Sequence, residues 1–102
     1  FGCGCGRLFE GTFEQMFHSL KKLKKLNPST KVFCAHEYTL KNIEFAMTVY
    51  PRNNQIKKRY KKCINLNLTL PSSIKEELKT NPFLLAQNIK EFKDHRLKKD
   101  AF

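Results

Sequence analysis

The chain is 102 residues long, carries a net charge of +11 and contains four cysteines. That length suits one domain or parts of two, and no apolar run approaches the ~18 residues of a membrane-spanning helix. No signal-peptide pattern is visible, so the membrane is not an expected partner. The lysines come mostly in pairs beside apolar positions, as in LKKLKKL and IKKRYKK. This is the pattern of solvated outer faces on amphipathic helices. The other reading of so much charge is an anionic partner, either nucleic acid or a small acidic substrate. Aromatic residues interleaved for base stacking are not evident, so nucleic acid is not the expected partner.

The chain opens on Phe1-Gly2-Cys3-Gly4-Cys5-Gly6, which resembles a strand end and turn already under way. Alternating glycines remove Cβ atoms and let the backbone approach something closely. As a phosphate loop the segment is weak, because it lacks the GxxxxGK[ST] pattern. Cys3 and Cys5 are one residue apart, which fits neither a C-x-x-C redox motif nor a zinc finger. All four cysteines are therefore read as reduced thiols of a cytoplasmic protein.

Thr12-Phe13-Glu14-Gln15 is a capping box that opens a helix with Phe13, Met16, Phe17, Leu20 and Leu23 inward. His18 is expected at the surface. After Asn27-Pro28 a short buried strand is expected at Val32–Ala35, ending at His36. The acid, phenol and capping threonine Glu37, Tyr38 and Thr39 follow. A histidine at a strand end before a polar turn is either bonded to a backbone carbonyl or a metal ligand or catalyst. Strand end, long crossover helix and strand together predict parallel pairing in an α/β layer.

From Thr39 the pattern becomes helical. One helix carries Leu40, Ile43, Ala46, Met47 and Tyr50 and stops at Pro51. Asn53 or Asn54 caps the next, with Ile56, Tyr60, Cys63 and Ile64 inward. Leu66–Leu70 is an extended connection. Ser73-Ile74-Lys75-Glu76 is a second capping box, and Asn81-Pro82 ends its helix. A last helix is expected from about Leu85 to the end, with no further strand. Ile89, Phe92, Arg96 and Lys99 share one face of it, so two cations extend an apolar stripe. They serve either as complements to the helix dipole or as a carboxylate clamp. His95 is off this face and is given no role.

Four stretches in this order, GCGRLFEGT, VFCAHEYTL, LPSSIKEELKTNPF and RLKKDAF, resemble the glyoxalase II (hydroxyacylglutathione hydrolase) family of metallo-β-lactamase fold. The resemblance implies the C-terminal part of such an enzyme. The fold expected from it is α/β, the C-terminal part of an αββα sandwich over residues 1–36, followed by an all-α domain over residues 37–102. By the same resemblance His36 matches a ligand of a binuclear zinc centre, with Ala35 in place of the usual glycine. Two zinc ions are implied per complete subunit, with iron or manganese as alternatives. Arg7, Tyr38, Arg96 and Lys99 match residues that bind glutathione. Phe9 falls where some members have a glutathione-binding tyrosine, and without the hydroxyl it can only pack.

The implied reaction is hydrolysis of S-D-lactoylglutathione to glutathione and D-lactate, the second step of methylglyoxal detoxification, by a monomer. The family signature T-H-x-H-x-D-H is absent from this sequence. One histidine cannot hold a catalytic zinc, which takes about three protein ligands, so the isolated chain is expected to be inactive. Two alternatives remain open on sequence alone: a glutathione-persulfide dioxygenase of the same fold, and a basic helical nucleic-acid-binding module.

Overall fold

Local capping fixes where the helices of the computed structural model begin; it describes residues 1–8 and 11–102, so Phe9 lies outside the described residues. Thr12 accepts the Gln15 N–H and Gln15 bonds back to the Thr12 N–H, starting α1, Phe13–Lys24. The helix α2, Thr39–Val49, ends one residue before Tyr50-Pro51. Asn53 accepts from Gln55 and Ile56 to open α3, Asn54–Cys63. Ser73 accepts from Glu76 to open α4, Ile74–Thr80. Asn81 starts the single turn α5, Pro82–Leu85, and Asn88 opens α6, Ile89–Ala101. The last helix, expected from about Leu85, thus begins only at Ile89, where the Asn88 cap starts it. Thr39 is the first residue of α2 and makes no cap, and its buried Oγ1 has no hydrogen-bond partner.

The expected α/β sandwich is not there. Among the described residues the strands are β1, Lys31–Val32, and β2, Ser72–Ser73. They pair antiparallel, Lys31 opposite Ser73 and Val32 opposite Ser72, so the expected parallel pairing fails too. The physical reason is a shortage of ladder. A parallel layer needs several strands covered on both faces, and residues 1–36 supply one two-residue strand and one helix. Beyond Val32 the backbone has no second strand to bond, and the expected buried run turns outward, with Phe33 75% exposed.

The two apolar clusters among the described residues are built by helices. Phe17 and Leu20 of α1 pack with Phe45, Phe83, Leu84, Ala86 and Phe92. Phe83 and Phe92 meet edge to face at 5.8 Å, as do Phe17 and Phe92, the geometry aromatic quadrupoles favour. The second cluster joins Ile43 and Ala46 of α2 to Ile56 and Cys63 of α3, with Cys3 against them. Leu23 and Ile64, expected inward, are 40% and 49% exposed, the one in the last turn of α1 and the other at the C-cap of α3. His18 is exposed as expected.

A buried polar knot ties these helices to the N-terminal segment. Glu77 is fully buried and receives Arg59 Nη1 at 2.6 Å, Ser72 Oγ at 2.7 Å, and the Cys3 N–H at 3.0 Å. Asn81 Nδ2 donates both to Glu77 and to the Gly4 carbonyl. Burial alone would raise the Glu77 carboxyl, but Arg59 and these donors outweigh it and hold it below the usual carboxylate range. Desolvation dominates at Cys3, whose thiol is pushed up to about 12, so it is an inert packing group donating to the Thr80 carbonyl.

Candidate functional site

A glycine-rich segment brings the first site residue into place. Its backbone is bonded almost residue by residue to side chains of three helices and the Asn81 cap. Asn42 of α2 donates to the Gly2 carbonyl, Glu77 of α4 accepts from Cys3, Asn81 donates to Gly4, and Arg96 of α6 donates to Cys5 and Gly6. Gly2 has φ +71°, and a Cβ on Gly4 would lie 2.9 Å from the Asn42 amide. The close approach that the alternating glycines imply is therefore to the protein's own helices. It ends at Arg7, whose exposed side chain faces Asp100 at 3.5 Å.

The second contribution is the turn after β1. Glu37 accepts from the Thr69 N–H at 3.0 Å and from the Thr69 hydroxyl, which ties the turn to the 66–70 connection. The Thr69 hydrogen bond lowers the Glu37 carboxyl. On either side of Glu37 the rings of His36 and Tyr38 stack, centroids 5.0 Å apart and 4° from parallel. Both are exposed.

The third contribution is the stripe on α6. Arg96 is buried, and Lys99 lies half-buried one turn on. The Arg96 guanidinium donates to the Cys5 carbonyl at 2.6 Å, to Gly6 at 3.3 Å and to Asp100 at 2.8 Å. It lies over the Phe83 ring. Its Nε is buried without a partner. The Lys99 ammonium sits over the rings of Phe45 and Phe102. Partial burial, then the neighbouring cations Arg96, Lys41 and Arg7, lower its affinity for its proton. The Asp100 carboxyl is held low by the Arg96 hydrogen bond.

These three contributions line one cleft of about 320 Å³, where Arg7, His36, Tyr38, Arg96 and Lys99 all meet, with Asn42 at its wall. Residues from opposite ends of the sequence are thus neighbours in space. Arg96 and Lys99 do extend the buried stripe of Phe92, as their spacing predicts. Three residues that matter here escaped sequence reading. Asp100 joins Arg96 to Arg7, while Asn42 and Glu77 hold the segment that carries Arg7. The acid following Lys99 within RLKKDAF was the available sign of the first. His95 is also no bystander: it is buried on α6, and its Nε2 meets the Tyr50 hydroxyl at 3.0 Å.

A metal centre is a different matter. Among the described residues no three His, Cys, Asp or Glu side chains come together to hold an ion. His36 is the imidazole that lines the cleft, and a single ligand does not fit a zinc site. The side chains of this chain offer a cationic, aromatic-edged recess for a small anion. No helix of the described residues is long and apolar enough to cross a membrane, and all four cysteines are free.

The family model for the hydroxyacylglutathione hydrolase C-terminus matches residues 37–102. The chain belongs to the hydroxyacylglutathione hydrolase family. It is 48% identical to a hydroxyacylglutathione hydrolase of Prochlorococcus marinus, over 98% of this chain and 41% of that protein. It is 46% identical to that of Haemophilus ducreyi, over 100% of this chain and 45% of the relative. The Acaryochloris marina protein of the same name is 56% identical over 82% of the chain and 34% of its own length. The chain thus spans less than half the length of the curated relatives it matches. The hydroxyacylglutathione hydrolase region in hand carries the cleft but no complete metal centre among its described residues.

Proposed function

We propose that this chain forms the glutathione-binding part of a hydroxyacylglutathione hydrolase that converts S-D-lactoylglutathione to glutathione and D-lactate. The observation that supports this is the convergence of Arg7, Tyr38, Arg96 and Lys99 on one cleft beside His36. Glutathione carries two carboxylates and one ammonium, so its thioester is an anion. Cations at the cleft draw it in, and guanidinium forks orient a carboxylate better than a point charge does. Arg96, with its side chain 4% exposed and bonded to Cys5, Gly6 and Asp100, contributes a fixed positive charge at the cleft wall. Lys99, set above two phenyl rings, supplies the second cation. Tyr38, stacked on His36, lines the same cleft and brings it a phenol able to hydrogen-bond a ligand.

The reading extends to an enzyme with two zinc ions on a metallo-β-lactamase-like domain, in the cytoplasm and monomeric. His36 is the metal ligand it assigns to this chain. The remaining ligands are assigned to the part of the relatives' length that the chain does not span. Among the described residues no cluster gathers to hold a metal, and the part of this chain in the reaction is to bind and orient the thioester. The free cysteines support the reducing compartment.

The test is the loss of thioester absorbance when the complete protein meets S-D-lactoylglutathione. Turnover is expected, and His36→Ala is expected to lose most of it together with bound metal. A folded, metal-loaded complete protein that leaves the thioester intact contradicts the proposal.

A further inference from the structure

Asp100 follows Lys99 on α6, and one of its carboxylate oxygens serves two guanidiniums. Oδ1 accepts from Arg96 Nη2 at 2.8 Å and faces Arg7 Nε at 3.5 Å. The partners differ sharply in freedom. The Arg96 side chain is 4% exposed, whereas that of Arg7 is 66% exposed. Arg96 also bonds the carbonyls of Cys5 and Gly6, immediately ahead of Arg7 in the chain. Arg7 is therefore held at both ends, its backbone by Arg96 and its head group by Asp100. An exposed arginine samples many rotamers, and ordering it in advance removes part of what a ligand must otherwise overcome.

We propose that Asp100 is a positioning residue for the cleft, presetting Arg7 and Arg96 so that they meet the carboxylates of a glutathione thioester together. This rests on the function proposed above and names how the cleft holds its ligand. The sign of the effect separates positioning from simple charge. An acid inside an anion site weakens binding by charge alone, so its neutralisation tightens the complex. A positioning acid does the reverse, since its loss frees the exposed Arg7 head group, while Arg96 stays held by the Cys5 and Gly6 carbonyls.

The experiment is Asp100→Asn in the complete protein, read as KM and kcat for S-D-lactoylglutathione and as Kd for glutathione by calorimetry. KM and Kd are expected to rise about two- to fivefold, the size of effect an exposed charge pair carries, while kcat changes less. Asp100→Glu, which keeps the carboxylate, is expected to recover part of the loss. An Asp100→Asn protein with unchanged or lower KM and Kd, beside an active wild type, overturns the positioning role and leaves the thioesterase reading standing. A wild-type complete protein that neither hydrolyses the thioester nor binds glutathione overturns both.

Discussion

Glu77 shows how much a single buried charge can organise. Its carboxylate binds a helix partner, Arg59, the β2 hydroxyl of Ser72 and the N-terminal backbone at Cys3. Replacing Glu77 with Gln leaves the buried Arg59 guanidinium with only the more distant Glu76, at 3.9 Å, as counter-charge, and breaking a buried pair costs up to about 3–5 kcal/mol. Denaturant unfolding of the complete protein is the check, with a midpoint shifted well down expected. The pH dependence follows from the sign of the shift. Folding holds the Glu77 carboxyl below its ordinary value of 4.5. The stabilisation it contributes is therefore full above that value and is lost as pH falls through the folded one. The Gln variant should lose this part of the acid sensitivity. Neither Glu77 nor Arg59 was legible in sequence as a core residue. Glu77 lies in IKEELK and Arg59 in KKRYKK, both of which read as solvated faces. Nothing local in either run announces a partner 18 positions away. Arg96 was legible because its place on the Phe92 face is set by helical spacing alone.

At the scale of elements, the features read correctly are those with a local cause. The Thr12–Gln15 box, the Asn53 cap and the Ser73 cap each depend on residues within one turn, and each starts a helix where expected. The strand was misread because a strand depends on what lies beside it. Val32–Ala35 has the composition of a buried strand, yet the ladder in this chain is two residues of antiparallel pairing, Lys31–Val32 with Ser72–Ser73. The glycine-rich segment is the opposite case, in which close approach was legible and its object was not. The helices that approach it set strict demands. A methyl on Gly4 would sit 2.9 Å from the Asn42 amide, which itself donates to Gly2. Gly4→Ala is therefore expected to displace Asn42 and destabilise the fold by about 1–3 kcal/mol, the usual cost of overpacking. Thermal unfolding of the complete protein measures it, and a Tm equal to that of the wild type contradicts the close packing described.

Across the whole molecule, helices from both halves of the sequence share one core, and the cleft lies where the N-terminal segment, the His36–Tyr38 turn and α6 meet. The expected change near residue 37, from α/β to all-helical with no further strand, does not appear, since β2 at Ser72–Ser73 lies beyond it and pairs back with β1; the family model nevertheless begins at residue 37. Periodicity could not reveal that α1 would pack against α5 and α6 across that point, because packing partners are set by three-dimensional neighbours. The net charge of +11 told little by itself. Most of the lysines lie on exposed helix faces, and a few cations gathered at the cleft carry the proposed recognition.

The central claim is that this cleft holds the glutathione end of a thioester, and the most direct test is the KM of the complete protein for S-D-lactoylglutathione with Lys99→Ala. Lys99 lines the cleft without a hydrogen-bonding role in the fold comparable to that of Arg96, so its loss should be felt chiefly by the ligand. Removing one charged hydrogen bond predicts a KM higher by about tenfold, with kcat reduced far less. An unchanged KM in a folded, active Lys99→Ala protein would contradict the account.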